Sequence, residues 1–579
     1  MTLERLANEL LFEIFDYLPS FELLRCFQNL NLRFERLILD HFRTHQVDFR
    51  NASKEQLECV YREFLPPVMD SIVSLQLSND DETPQQVQLF RHCHLQFDRF
   101  THLASLSLHK IRSCQLIVDI ISECKSLKTL KLIGCFFELN EQRIRSFLET
   151  VWSLEKLIDF HLDIEQRTTL PIPIPRTISF TIERLALVGF PCRLNQLASF
   201  SECTPRLRSL TMDFYPTVNE TGLNVCLPTI EKLNLVFVNC QSDWLINLLT
   251  HLPNLIALKI EGLYTEIDGN QWKEIIEQYL PKLRKFQMKM GFSVSNQRER
   301  NEIIQSFKTK FWIEQHRWEV RCYQNVDQQS NMLFLQTWPY SFSQLDLLCE
   351  VNDNCSRSDL NDSYSYKKVK SLNLPQLVSE TWIHSQSQWK FPQVRHLSIR
   401  IPYNDRLKII FEQFHPLDSL DIWRTRNISD VIAIEQVQFA LNHLPSISSI
   451  HFRSWTNESN EYLLPFLLLK PRWPILKINL LGYKHWFDRD QVIDFSRSLL
   501  CSHCELLMIQ VKDSFTAIEL IRTMKTLRSL IIQSLDDQEN SSRYQGTGMC
   551  WNILTQNLPN CSIERDERFT TRIRIWIQH

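Results

Sequence analysis

The sequence predicts an α/β chain: a short all-helical N-terminal module, then a curved solenoid of repeated units with concave parallel strands and convex helices. Three observations carry that expectation. One apolar phrase returns along residues 71–548, helical stripes fill many of the intervals between its copies, and the first 45 residues follow a different, helical spacing throughout.

In the N-terminal module, Leu6, Leu10, Leu11, Ile14, Phe15 and Leu18 recur at three- and four-residue spacing and stop at Pro19. Asn8 is expected to cap this helix, with Glu9 complementing the dipole of its first turn. Ser20 is expected to cap a second helix carrying Phe21, Leu23, Leu24 and Phe27. A third stripe, Leu30, Phe34, Leu37 and Ile38, runs to about Phe42. Three helices of this size bury little on their own, so the rest of the chain or a partner must cover their apolar faces.

The order of these residues resembles an F-box. Leu6 through Pro19 matches its opening helix, Leu23-Leu24 its central doublet, and Leu30 through Ile38 its closing helix; Ala7 stands where the family has Pro, and Phe34 where it often has Trp. The resemblance covers about 35 of the 579 residues. It implies docking on a Skp-type adaptor and, through it, on a cullin. The contact it implies comprises Leu6, Leu10, Leu11, Ile14, Leu18, Pro19, Leu23, Leu24 and Phe34. The competing reading of the same helices is a cap that seals the end of the following array.

Residues 46–70 are expected to form a connecting helical segment. Beyond them the phrase reads apolar, two polar, apolar, one variable, apolar. Clear copies are Leu103-Leu106-Leu108, Leu127-Leu130-Leu132, Leu207-Leu210-Met212, Leu255-Leu258-Ile260, Val394-Leu397-Ile399, Leu417-Leu420-Ile422 and Leu527-Leu530-Ile532. Weaker ones include Ile72-Leu75-Leu77, Leu154-Leu157, Trp318-Val320 and Phe342-Leu345-Leu347. From Ile72 to Leu527 there are about 18 copies at a mean step of about 26.8 residues, inside the leucine-rich-repeat range. The alternating positions suit a short strand, and stripes such as Ile117-Ile120-Ile121 and Trp272-Ile275-Ile276 suit the helical backs. This resembles the irregular repeat found behind F-boxes. No unit can bury its own face, so successive units must stack.

Pro171, Pro173 and Pro175 predict an extended loop within 163–180. A polar, turn-rich insertion lies near 350–368, the expected seam between two halves. A further loop is expected at 536–548, and 549–579 should supply a terminal cap ending in a strand of Ile573, Ile575 and Ile577.

Composition excludes several chemistries. Nine glycines, mostly isolated, cannot build a phosphate-cradling loop or a dinucleotide fingerprint. A net charge of -3 gives no reason to expect a nucleic-acid partner. No window approaches 18 uninterrupted apolar residues, so no membrane span is expected. Acidic and basic residues from Glu4 to Asp16 interrupt any leader, and the 17 cysteines lack a pairing framework. The cysteines read as reduced thiols in an intracellular chain, cytoplasmic or nuclear. Cys501-Ser502-His503-Cys504 and His92-Cys93-His94 lack a second half-site for a metal, and no helix is expected to carry the zinc-protease pair of histidines. No catalytic residues, metal or cofactor are therefore expected. Among the 14 tryptophans, Trp423 and Trp455 follow strand phrases beside Arg424 and Arg453, and these four are the candidate target-binding residues. The F-box resemblance implies a substrate receptor of a Skp-cullin-F-box type ubiquitin ligase, with an interaction scaffold lacking any ligase role as the alternative.

Overall fold

A computed structural model describes residues 3–137, 140–165, 168, 170–214, 225–238, 242–264, 267–324, 332–346, 366–374, 391–403, 407–411, 414, 417–425, 428–444, 446–455, 465–535, 549–565 and 572–578. The chain is α/β with parallel-strand sheets, and it divides into two compact units, Met1–Phe286 and Gln287–His579.

The first unit opens with α1 (Asn8–Asp16), α2 (Ser20–Phe27) and α3 (Leu32–Thr44). The caps differ from expectation. Ala7 is the N-cap of α1 and Pro19 that of α2, neither giving a side-chain cap. Asn8 and Ser20, one residue inside, are engaged elsewhere: Asn8 Oδ1 accepts from Arg33, and Ser20 Oγ accepts from the Asp48 N–H at 3.0 Å. At α3 the Asn31 side chain accepts from the N–H groups of Arg33 and Phe34, which starts the helix after Leu30.

Nine strands follow: β1 (Val47–Asp48), β2 (Ser74–Ser78), β3 (Ser105–His109), β4 (Thr129–Cys135), β5 (Asp159–Ile164), β6 (Arg184–Cys192), β7 (Ser209–Phe214), β8 (Lys232–Val238) and β9 (Ala257–Leu263). They lie side by side in chain order and all parallel. The phrase sets the register. Leu75, Leu106, Leu130, Phe160, Leu185, Leu210, Leu233 and Leu258 are successive partners, and all are buried. Each such side chain stabilises the fold by about 1.5–3 kcal/mol of transfer free energy. On β5 the phrase runs Leu157-Phe160-Leu162, three residues later than Leu154-Leu157 suggests, because Phe160 takes the leucine position. Strand β1 falls inside the segment expected to be only helical; Val47 pairs with Leu75.

Helices occupy the returns. Cys114–Glu123 buries Ile117, Ile120 and Ile121, and Gly269–Tyr279 buries Trp272, Ile275 and Ile276. Ser113, Asn140 and Asp268 cap three of them by accepting from N–H groups of the first turn. Between β5 and β6 the described residues form no helix, in keeping with Pro171, Pro173 and Pro175. The segment around Pro171–Thr177 lies along two flanking helices: Gln196 Nε2 donates to the Ile172 carbonyl at 2.8 Å, and Glu149 accepts from the N–H of Thr177 at 3.0 Å.

In the second unit, β10 (Lys285–Ser293), which starts at the boundary, pairs antiparallel with β12 (Met332–Trp338), and β12 with β11 (Glu319–Gln324). The Trp318-Val320 copy is thus the start of an antiparallel strand, and β12 has no copy of the phrase. The chain divides at 286/287, and strand direction changes between β10 and β12; residues 350–365, where the seam is expected, lie outside the described residues, as does the loop expected at 536–548. A separate sheet begins with parallel strands β13 (Gln344–Asp346), β14 (Ser371–Asn373), β15 (His396–Ile401), β16 (Ser419–Arg424), β17 (Ser449–Arg453), β18 (Lys477–Asn479), β19 (Leu506–Val511) and β20 (Ser529–Ser534). Leu345, Leu372, Leu397, Leu420, Ile450, Ile478, Leu507 and Leu530 form its buried row. Strand β22 (Arg572–Trp576) closes this edge antiparallel to β20, with β21 (Ser562–Arg565) beyond it; Ile573, Ile575 and Ile577 are buried. No helix among the described residues is long and apolar enough to cross a membrane.

Candidate protein-docking sites

The N-terminal module sorts its apolar residues onto two faces. Leu11 and Phe15 of α1, Phe21, Leu23, Leu24 and Phe27 of α2, and Phe34, Leu37, Ile38 and Phe42 of α3 are buried. Phe27 joins them, its ring 5.2 Å from Phe15 and 5.5 Å from Phe34. A different set faces outward. Leu10, Ile14 and Tyr17 stand at i, i+4 and i+7 on α1, one stripe beside the buried one. Leu10 is exposed, Ile14 half-buried, and Tyr17 89% exposed. Leu30 and Leu32 flank the start of α3, with Leu32 72% exposed.

A hydrogen-bonded clasp holds this end together. Arg33 Nε and Nη2 donate to Asn8 Oδ1 at 3.1 and 2.7 Å, and Nη2 also donates to the Leu6 carbonyl at 2.5 Å. Arg33 Nη1 donates to the Glu4 carbonyl, and Asn31 Nδ2 to Glu4 Oε1 at 3.1 Å. The exposed Leu3 is thereby tethered beside the turn carrying Leu30 and Leu32.

Of the residues expected at the adaptor contact, Leu10 and Pro19 are exposed, and Leu6, Ile14 and Leu18 are partly so. Leu11, Leu23, Leu24 and Phe34 face the interior and offer no surface. They are buried because the module is not freestanding: β1 pairs with β2 directly behind it, and α2 is tied to β1 through Ser20. Tyr17, Leu30 and Leu32 belong to the outward face beyond the expected set, and Tyr17 follows from Leu10 and Ile14 by helical spacing alone.

The tryptophan–arginine set on β16 and β17 also divides, for a simple reason. Successive strand residues point to opposite faces. Trp423 is 39% exposed and pairs in register with Arg453 on one side and Arg400 on the other. Arg424 and Trp455 face inward, the guanidinium 5.4 Å from the indole centroid. Arg424 donates to Asp430 at 2.5 Å and to the Ile428 carbonyl at 2.6 Å, so it braces the entry to the next helix. These two are therefore packing groups and leave the candidate target-binding set. Alternation places other groups on the open face instead: Arg400, Asp421 and His451, beside Trp423 and Arg453. Asp421 Oδ1 lies 3.0 Å from His451 Nδ1, and its Oδ2 accepts from Arg453 Nε at 3.2 Å. Burial pushes the Asp421 carboxyl up, but His451 and Arg453 outweigh it and hold it below the usual carboxylate range. This patch, an indole between two arginines with a fixed carboxylate alongside, suits recognition of a protein surface carrying acidic and aromatic groups.

The cysteines point away from thiolate chemistry. Cys501 and Cys504 are buried in the core; burial pushes the Cys501 thiol up to about 12 and raises Cys504 likewise. Among the described residues, Asp16, His41 and His45 form the group of side chains close enough to share a metal ion.

No protein-family model matches this chain, and no curated protein matches it in sequence.

Proposed function

We propose that this chain is the substrate-recognition subunit of a Skp-cullin-F-box type ubiquitin ligase, its N-terminal helices docking on the adaptor and its repeats, stacked as a curved leucine-rich solenoid, holding a target protein. The observation that carries this reading is the outward apolar set Leu10, Tyr17, Leu30 and Leu32 on a module whose interior is already filled. Burial of such residues by a partner stabilises a complex, whereas leaving them wet serves no internal packing. In this reading the chain makes and breaks no bonds. It brings a target, held at Trp423, Arg453 and their neighbours, close to a transfer enzyme elsewhere in the assembly, and the rate gain is one of proximity.

The scaffold alternative draws on a separate observation: α2 and β1 join the module to β2, as a cap sealing the array would. Co-purification of the full chain from its own cells separates the two. A variant carrying Leu10→Asp and Leu32→Asp serves as the control, because both side chains are exposed and the fold is retained. Adaptor and cullin recovered with the parent and lost with the variant establish the ligase role. Their absence from a folded parent chain leaves the scaffold.

A further inference from the structure

The C-terminal ends of α1 and α3 gather three groups with nitrogen and oxygen ligand atoms. Asp16 is the last residue of α1, His41 lies in the last turn of α3, and His45 is its C-cap. Asp16 Oδ1 is 3.8 Å from His41 Nδ1 and 3.4 Å from His45 Nε2, and one ligand atom from each residue lies within 4.8 Å of the other two. The His41 side chain is only 8% exposed, yet its buried Nδ1 has no hydrogen-bond partner. A buried ring nitrogen left without a partner is unusual and costly.

The second histidine is already oriented. His45 Nδ1 sits 2.8 Å from Thr44 Oγ1 and 3.2 Å from the His41 carbonyl, which leaves Nε2 toward Asp16. An imidazole whose far nitrogen is fixed by a backbone carbonyl is the usual arrangement of a metal-binding histidine. The two rings stack at 4.1 Å between centroids, and Phe12 and Phe15 lie against His41 at 6.3 and 5.8 Å. Both helices direct their carbonyl ends here, where a cation is favoured.

We propose that Asp16, His41 and His45 form a three-ligand site for a divalent transition-metal ion, zinc above all, with solvent completing the coordination. Zinc bonds of about 2.0–2.1 Å in a tetrahedron place neighbouring ligand atoms about 3.3 Å apart. The separations of 3.4 and 3.8 Å from Asp16 are close to that value, and the half-exposed ring of His45 is free to tilt away from the stack. Two imidazoles and one carboxylate suit zinc, cobalt or nickel rather than calcium or magnesium. The ion would brace α1 against α3, the two helices that carry the outward apolar set. A contact between Asp16 and His45 alone would leave the buried His41 Nδ1 unexplained. The carboxylate comes from a different helix than His41 and His45, so no local spacing in the sequence marks this juxtaposition.

The test uses the full chain, stripped with a chelator and titrated with Zn²⁺ by calorimetry and with Co²⁺ by visible spectroscopy. Asp16→Asn and His45→Ala alter exposed side chains and keep the fold; His41→Ala is the third variant. One zinc per chain is expected, with a tetrahedral cobalt spectrum free of a thiolate charge-transfer band. Each variant should lose more affinity than the roughly 10- to 100-fold typical of a lost outer-shell partner. A folded parent that takes up no zinc overturns the proposal. So does zinc bound as tightly by Asp16→Asn and His45→Ala as by the parent, because the ion would then sit elsewhere, on thiols for instance. Should His41→Ala fail to fold, the two exposed variants decide the matter.

Discussion

Arg33 Nη2 donates to Asn8 Oδ1 at 2.7 Å, joining the first turn of α3 to the first turn of α1 across 25 residues of chain. The same guanidinium also reaches the carbonyls of Glu4 and Leu6. One side chain thus fixes the extreme N-terminal turn and the direction in which Leu10, Leu30 and Leu32 face the solvent.

Arg33→Ala should therefore cost roughly 1–2 kcal/mol, since several charge-assisted hydrogen bonds are lost at a partly exposed site. Urea denaturation gives the size. Amide exchange gives the place: protection should fall over residues 3–16 first, and unchanged exchange there would mean that the clasp does not hold the module.

Two tryptophans 32 residues apart should behave in opposite ways. Trp455 is 1% exposed, and Trp455→Ala should lower stability by about 3–5 kcal/mol. Trp423→Ala, at an open position, should stay within about 0.5 kcal/mol of the parent. It should nevertheless weaken target binding by about tenfold or more, as expected of an aromatic anchor. Thermal melts and target pull-down, run on both variants, separate the packing role from the docking role.

His109, at the end of β3, gives stability a pH dependence. Burial first, then the charge of Arg50, hold its imidazole down at about 4. In the unfolded chain it titrates near 6.5. Between those values the unfolded state binds the proton and the folded state does not, so stability should be full above about pH 6.5 and fall as pH drops toward 4. The contribution is on the order of 1 kcal/mol, partial exposure screening the rest. Denaturation midpoints at pH 7.5 and 5 should converge in His109→Asn; an unchanged slope in that variant would assign the effect to another group.

Gly482→Ala tests the turn after β18. A Cβ there would run into the Phe452 carbonyl oxygen, while the Gly482 carbonyl accepts from the Trp455 N–H at 3.0 Å. The strands cannot separate without losing that bond, so a loss of about 1–3 kcal/mol is expected in chemical denaturation. A neutral result would show that this part of the sheet yields.

What the sequence made legible is local and periodic. Leu106-Leu108 and Leu420-Ile422 declare inward strand positions by spacing alone, and their buried rows follow the same spacing. Helices such as Cys114–Glu123 show through Ile117, Ile120 and Ile121 for the same reason. What it hid depends on pairing between distant segments. Nothing local marks β12 as the antiparallel partner of β10, and no spacing links Asp16 to His41. Trp423 and Arg424 are adjacent on a strand, so alternation alone places them on opposite faces. The caps at Asn8 and Ser20 were displaced by one residue because tertiary partners, Arg33 and Asp48, took those oxygens.

The most direct test of the central claim is binding of purified full-length chain to a purified Skp-type adaptor, measured by calorimetry beside the Leu10→Asp, Leu32→Asp variant. A one-to-one complex formed by the parent and lost in a variant that melts like it is the result expected. No complex with the parent, or equal binding by both chains, would contradict docking through the outward face of the N-terminal helices.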